Sequence, residues 1–189
     1  MTVTVAPREV VDQVHRASRS HGCDPDLADR LATEIAFCEI HHGGGIAAWV
    51  SLVDAGDGRL AEAAHGPFRL AAAEVVARST GSAHLTFDPP LPLAVIARSL
   101  RDLERRGVRC TPGVDSAAVL TGTDPVPSLE LALGEPVRAG TSRSDGASEA
   151  AYHDGLPVDR TLWQRLSDAA ADFLVSEATL DAALEPTSR

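Results

Sequence analysis

Apolar side chains recur at three- and four-residue spacing through the N-terminal quarter of the chain, and that period predicts helices. Val10, Val14 and Ala17 share one face of a first helix from about Pro7 to Ser20, with Gly22 placed to end it. Asp24 stands where an N-cap belongs and Pro25 at the first helical position, so a second helix is expected from Pro25 to about His41. Its stripe is Leu27, Leu31, Ile35 and Cys38. Continuing that stripe by four puts His42 on the buried side, whereas His41 falls about 100° around the axis, nearer Phe37 and Glu34. The two imidazoles are therefore expected in different environments, with His41 the more accessible. Ile46 to Val53 reads as a short, strongly apolar third helix that ends near Gly56.

From Gly58 the pattern changes. Phe68-Arg69-Leu70, Leu85-Thr86-Phe87, Val108-Arg109-Cys110, Ala117-Ala118-Val119-Leu120 and the alternating Leu129 to Leu133 are strand candidates, and Pro89, Pro90 and Pro92 mark a turn. Among them Leu93, Ile96, Leu100 and Leu103 give a helix that stops at Gly107. Residues 135–155 are poor in large apolar side chains, and Gly140 to Gly146 has the composition of a mobile loop. Asp159 then caps a long helix carrying Leu162, Trp163, Leu166, Ala170 and Phe173, and Ser176 caps a last short one. The whole predicts a single α+β domain over residues 1–189. It has an N-terminal helical layer (7–56), a small mixed sheet with a central helix (58–134), the loop, and C-terminal helices (159–185).

Composition narrows the function classes. A net charge of -10 disfavours binding to a phosphate backbone, which needs clustered cations, so nucleic acid is not an expected partner. All 17 cations are arginine. Without lysine the chain can form no Schiff base and lacks the lysine of a phosphate loop. There is no apolar run of the roughly twenty residues that cross a bilayer, and Met1-Thr2-Val3-Thr4-Val5 lacks the basic start of a secretion signal, so no membrane association and a cytoplasmic location are expected. Cys23, Cys38 and Cys110 are odd in number and widely spaced, as reduced thiols are.

The densest chemistry lies at Cys38-Glu39-Ile40-His41-His42-Gly43-Gly44-Gly45. Imidazoles titrate near neutral pH and can serve as general base, general acid or metal ligand. His41, His42 and Glu39 are the candidate catalytic residues, with Glu34 as a second carboxylate able to orient a histidine. Gly43, Gly44 and Gly45 would let a substrate approach the backbone closely, and Trp49 follows them as a candidate binding residue. The alternative is structural: Gly43 ends the helix and His42 is a satisfied core residue. Adding His21 and Cys23 to Cys38 and His41 would complete a tetrahedral zinc set, but Cys23 and Cys38 are separated by roughly 22 Å along one helix, so no metal site is predicted. His42-Gly43-Gly44-Gly45 has the form of an esterase oxyanion segment, yet Gly140-Thr141-Ser142-Arg143-Ser144 fails the last glycine of a nucleophile elbow. No dinucleotide fingerprint follows a strand, and no particular cofactor is indicated.

Two other clusters carry charge. Arg98, Arg101, Arg105, Arg106 and Arg109, interleaved with Asp102 and Glu104, read as a solvated helix face that could alternatively hold a carboxylate or phosphate. Tyr152-His153-Asp154 joins the single tyrosine to an imidazole and a carboxylate.

The segment from Glu9-Val10-Val11 to Trp49, and Val158-Asp159-Arg160-Thr161-Leu162-Trp163-Gln164-Arg165-Leu166 with Val175-Ser176-Glu177-Ala178-Thr179, resemble the two ends of a bacterial family of unknown function, the one numbered 3726. That resemblance implies kinship and no chemistry. Glu39-Ile40-His41-His42-Gly43 is also similar to a step in the malate/L-lactate dehydrogenases, which would imply a histidine touching substrate or nicotinamide.

The expectation for function is a small bacterial enzyme or catalytic subunit that acts on a small polar metabolite by histidine acid/base chemistry. The alternative is a non-catalytic subunit whose third helix, around Trp49, docks on a larger enzyme. A third reading is a metabolite- or metal-binding module without turnover, and the partner classes are a small-molecule substrate and a protein partner or homo-oligomer.

Overall fold

The computed structural model describes residues 1–56, 58–113, 120–136 and 145–173. In order they form β1 (Thr2–Val5), α1 (Pro7–Ser20), α2 (Pro25–His41), α3 (Gly45–Asp54), α4 (Arg59–Ala64), α5 (Gly66–Thr80) and β2 (Ser82–Pro92). A 3-10 turn (Leu93–Val95), α6 (Ala97–Arg105), β3 (Val108–Thr111), β4 (Pro125–Leu133), α7 (Asp145–Asp154), β5 (Leu156–Asp159) and α8 (Arg160–Ala171) follow. This is an α+β fold, in which a short strand that the sequence did not announce precedes the N-terminal helices and a helix closes the described part.

The first helices start on proline and end near glycine. Gly22, at φ 82°, turns the chain out of α1, a conformation that costs glycine little. Asp24 sits at the N-cap of α2, but its side chain makes no capping hydrogen bond. α2 is the central helix, packed against α1, α3, α4, α6 and α7. It can be covered from so many sides because Ala28, Ala32 and Ala36 are buried beside the larger Leu27, Leu31, Ile35 and Cys38. Small residues leave room for neighbouring backbones.

Every described strand pairing is antiparallel, so the expected mixed sheet is corrected to two small antiparallel ones, β2-β4-β3 and β1-β5. β4 is central, and its Val126, Leu129 and Leu131 are buried. The prolines at 89, 90 and 92 lie inside β2, with a register shift between Thr86 and Leu91. β2 is an edge strand, where a missing N–H can be tolerated. Phe68-Arg69-Leu70, expected as a strand, belongs to α5, which Pro67 opens and Gly81 closes at φ 93°.

Residues 145–154, expected within a mobile loop, form α7, since alanine and glutamate sustain a helix without large apolar side chains. It leads into β5, which pairs with β1. Asp159 caps α8 as expected, its Oδ1 accepting from the N–H groups of Thr161 at 2.8 Å and Leu162 at 3.2 Å. α8 ends at Ala171, ahead of Phe173. The strand expected over 117–120 falls largely, and the loop over 137–144 and last short helix after Ser176 fall wholly, outside the described residues. Among the described residues no helix is long and apolar enough to cross a membrane.

Candidate functional site

α2 delivers His41 to the wall of a cleft of about 510 Å³. Its Nε2 lies 3.2 Å from Oγ of Ser148 on α7 and 3.5 Å from a terminal nitrogen of Arg101 on α6. Arginine has only N–H donors, so the lone pair of Nε2 is what faces it, and the Ser148 hydroxyl is then also a donor to that nitrogen. The imidazole rests on Phe37 with ring centroids 4.2 Å apart, and the Arg101 guanidinium carbon lies 5.5 Å from the centre of the same ring. Cation–π contact of this kind holds a guanidinium in place beside a neighbour. Arg8, Thr33, Arg98 and Tyr152 complete the polar lining of the cleft.

His42 does not sit on the buried stripe. The helix stops at His41, and His42, at φ -127° and ψ -21°, has already left it, so the 100° step no longer applies. Its ring also reaches Phe37, at 6.4 Å, and both histidines are half-buried. The expected separation of the two environments is therefore corrected to one shared aromatic neighbour. Nε2 of His42 is buried and makes no hydrogen bond among the described residues. Burial, aided by the charge of Arg101, lowers the pKa of this imidazole.

Glu39 and Glu34 are committed elsewhere. Glu39 Oε2 accepts from the N–H of Ile46 at 2.9 Å, in the first turn of α3. Glu34, 3% exposed, accepts from the N–H of Arg98 at 2.7 Å, the N–H of Ser99 at 3.1 Å and the Ser99 hydroxyl, at the start of α6. Neither of these helices has a side-chain cap of its own. The two carboxylates of α2 thus supply, from outside, the acceptors that exposed helix N–H groups require. This corrects their expected role as orienters of a histidine. Burial pushes the Glu34 carboxyl up to about 7, against the hydrogen bonds from Ser99 and Arg98 that pull it down. Glu39 is raised for the same reason.

The triple glycine serves a chain crossing. Gly122 N–H donates to the Gly43 carbonyl at 2.9 Å, and a Cβ on Gly122 would stand 2.7 Å from the Gly44 carbonyl and 2.9 Å from Cys38 Sγ. A Cβ on Gly45 would strike the Ile35 carbonyl. Protein backbone, not substrate, fills the space beside Gly44 and Gly45; Gly43 alone of the three has open space around it. Trp49 is likewise no binding residue: it is 2% exposed, and its indole N–H donates to Ser18 Oγ at 3.0 Å. Cys38 is buried, with a thiol raised by desolvation and by Glu39, which leaves it little thiolate. Among the described residues no group of three or more His, Cys, Asp or Glu could hold a metal ion.

The arginine cluster is divided. Arg101 turns inward to Phe37 and His41, Arg98 lines the cleft, and Arg106 pairs with Glu74 at 2.7 Å. Tyr152 reaches the cleft while His153 and Asp154 pair with each other at the surface, 2.6 Å apart. Sequence reasoning missed Ser148 and Arg8. The signal for Ser148 was its i, i+4 relation to Tyr152 on a helix that had been read as a loop. No family model, curated protein or solved structure matches the chain.

Proposed function

We propose that this chain is a small enzyme, or the catalytic subunit of one, that acts on a small polar metabolite in the cleft at the end of α2, with His41 transferring a proton. The observation that carries this reading is the contact of His41 Nε2 with Ser148 Oγ at 3.2 Å in the wall of a cleft of about 510 Å³, a size suited to a small ligand. Ser148 presents a hydroxyl to the nitrogen that would accept a proton, and a terminal nitrogen of Arg101 lies 3.5 Å from the same atom. The docking alternative has lost its anchor, because Trp49 is inside the core.

The test is a metabolite library screened for ligand-induced stabilisation of the full chain, followed by assay of each binder for chemical change. His41→Ala should fold as the parent does and lose about 100-fold or more in turnover. Undiminished turnover in that variant, or a library in which binders map away from the cleft, would overturn the proposal.

A further inference from the structure

We infer that the cleft at the end of α2 takes a small organic anion, a carboxylate or phosphate ester on an apolar body, whose charge is held by Arg8 and Arg98. This deepens the preceding reading and rests on the cleft being the working site.

Charge segregation is the main argument. The chain carries 27 acidic residues against 17 arginines, yet Arg8, Arg98 and His41 line the cleft and, among the described residues, no aspartate or glutamate does. Thr33 and Arg98 also line a neighbouring cleft of about 490 Å³, where the other charged residues are Asp26, Asp29, Glu34 and Asp102 with Arg30. Among the described residues, acidic side chains thus gather in one cleft and are absent from the lining of its neighbour. An electropositive concavity in an acidic protein draws in anions and repels cations.

The two arginines have charge to offer. The Arg8 side chain forms no hydrogen bond or ion pair among the described residues; the Arg98 side chain has a long contact with Asp102, 3.8 Å between Nε and Oδ2 with both side chains well exposed, and its charge also acts on the Glu34 carboxyl. They come from different elements: Arg8 lies in the first turn of α1 and Arg98 in the first turn of α6. Guanidinium groups match carboxylate and phosphate oxygens in a planar, two-point fashion. Ser148 and Tyr152, one turn apart on α7, add neutral hydroxyls. The remaining walls, among them Val11, Phe37 and Ile40, are apolar, which fits a carbon skeleton attached to the charge better than inorganic phosphate alone.

The experiment is a heteronuclear NMR titration of the full chain with benzoate, phenyl phosphate, benzamide and benzylamine. At least one anion should shift amides at the start of α1, the end of α2 and in α7, while the neutral and cationic probes leave them unmoved at the same concentration. The tighter anion tells which acid group the cleft prefers. Arg8→Gln with Arg98→Gln should weaken that anion about tenfold or more, since a charged hydrogen bond is lost at each position. Both side chains are at the surface, so the double variant keeps its core. Benzamide binding as well as benzoate, anion shifts confined to other surfaces, or an unchanged affinity in the double variant would each overturn the inference. Loss of turnover in His41→Ala bears on proton transfer alone, and the anion titration bears on recognition alone.

Discussion

Oγ of Ser148 stands 3.2 Å from Nε2 of His41, across 107 positions of sequence. The contact joins α7 to the last turn of α2. Ser148→Ala should therefore cost about 0.5–1.5 kcal/mol in urea unfolding, the net worth of one neutral hydrogen bond. Amide exchange should quicken in α7 more than in α2. Equal protection of α7 in parent and variant would show that the hydroxyl does not hold the helix.

Glu34 makes stability depend on pH in a stated direction. Its carboxyl lies at about 7 in the fold against 4.5 for the ordinary group, so between those values the native state binds more protons than the unfolded one. Its contribution is fully present below 4.5 and is lost as pH rises through 7. Glu34→Gln, which cannot titrate, should lie furthest below the parent near pH 4.5 and close on it by about 3 kcal/mol by pH 8. Chemical denaturation across that range checks the slope; a gap that widens with pH contradicts it. Glu34→Ala, which likewise cannot titrate, also leaves N–H groups of α6 without their acceptor and should lie about 1–3 kcal/mol below Glu34→Gln, by the same margin across the pH range.

The glycines at the chain crossing should differ sharply. Gly43→Ala meets no neighbour within 4 Å, so only its φ of 71° opposes the change, at about 1 kcal/mol. Gly122→Ala drives a methyl into the Gly44 carbonyl and Cys38 Sγ and should cost about 3 kcal/mol or more. Thermal or urea unfolding of the pair decides it, and comparable losses would mean the crossing is looser than described.

Cys23, Cys38 and Cys110 are buried, and burial raises each thiol, Cys110 to about 12. A thiol-reactive dye at pH 8 should label none of the three rapidly in the native protein and all three in urea. Fast native labelling at Cys38 would place that thiol on an accessible surface.

Helix limits were legible where periodic apolar positions met strong punctuation. α1 and α2 run from Pro7 to Ser20 and from Pro25 to His41 as expected, because Val10, Val14, Leu27, Leu31 and Ile35 keep one period between proline and glycine signals. Phe68-Arg69-Leu70 misled because three residues are too few to tell a period of two from 3.6, and Pro67 and Gly81 were the better guides. α7 was hidden by its small side chains. Of the site, His41 was legible from its place at a helix end. Its neighbours Ser148 and Arg101 come from distant parts of the chain, and no local pattern encodes such a meeting. Glu39 was visible but assigned to the wrong partner, since a carboxylate near a histidine in sequence can serve a helix end just as well.

Glu34 and Glu39 leave one helix to hold the ends of two others. α2 cannot rotate, slide or fray past its middle without stripping acceptors from α3 and α6 at the same moment. Motions that unwind α2 past Glu34 are thereby converted from local fraying into a cooperative opening of three helices. Native-state hydrogen exchange should find the first turns of α3 and α6 opening together with α2 at one shared free energy. The stretch of α2 that leads to His41 cannot come apart without taking its surroundings with it.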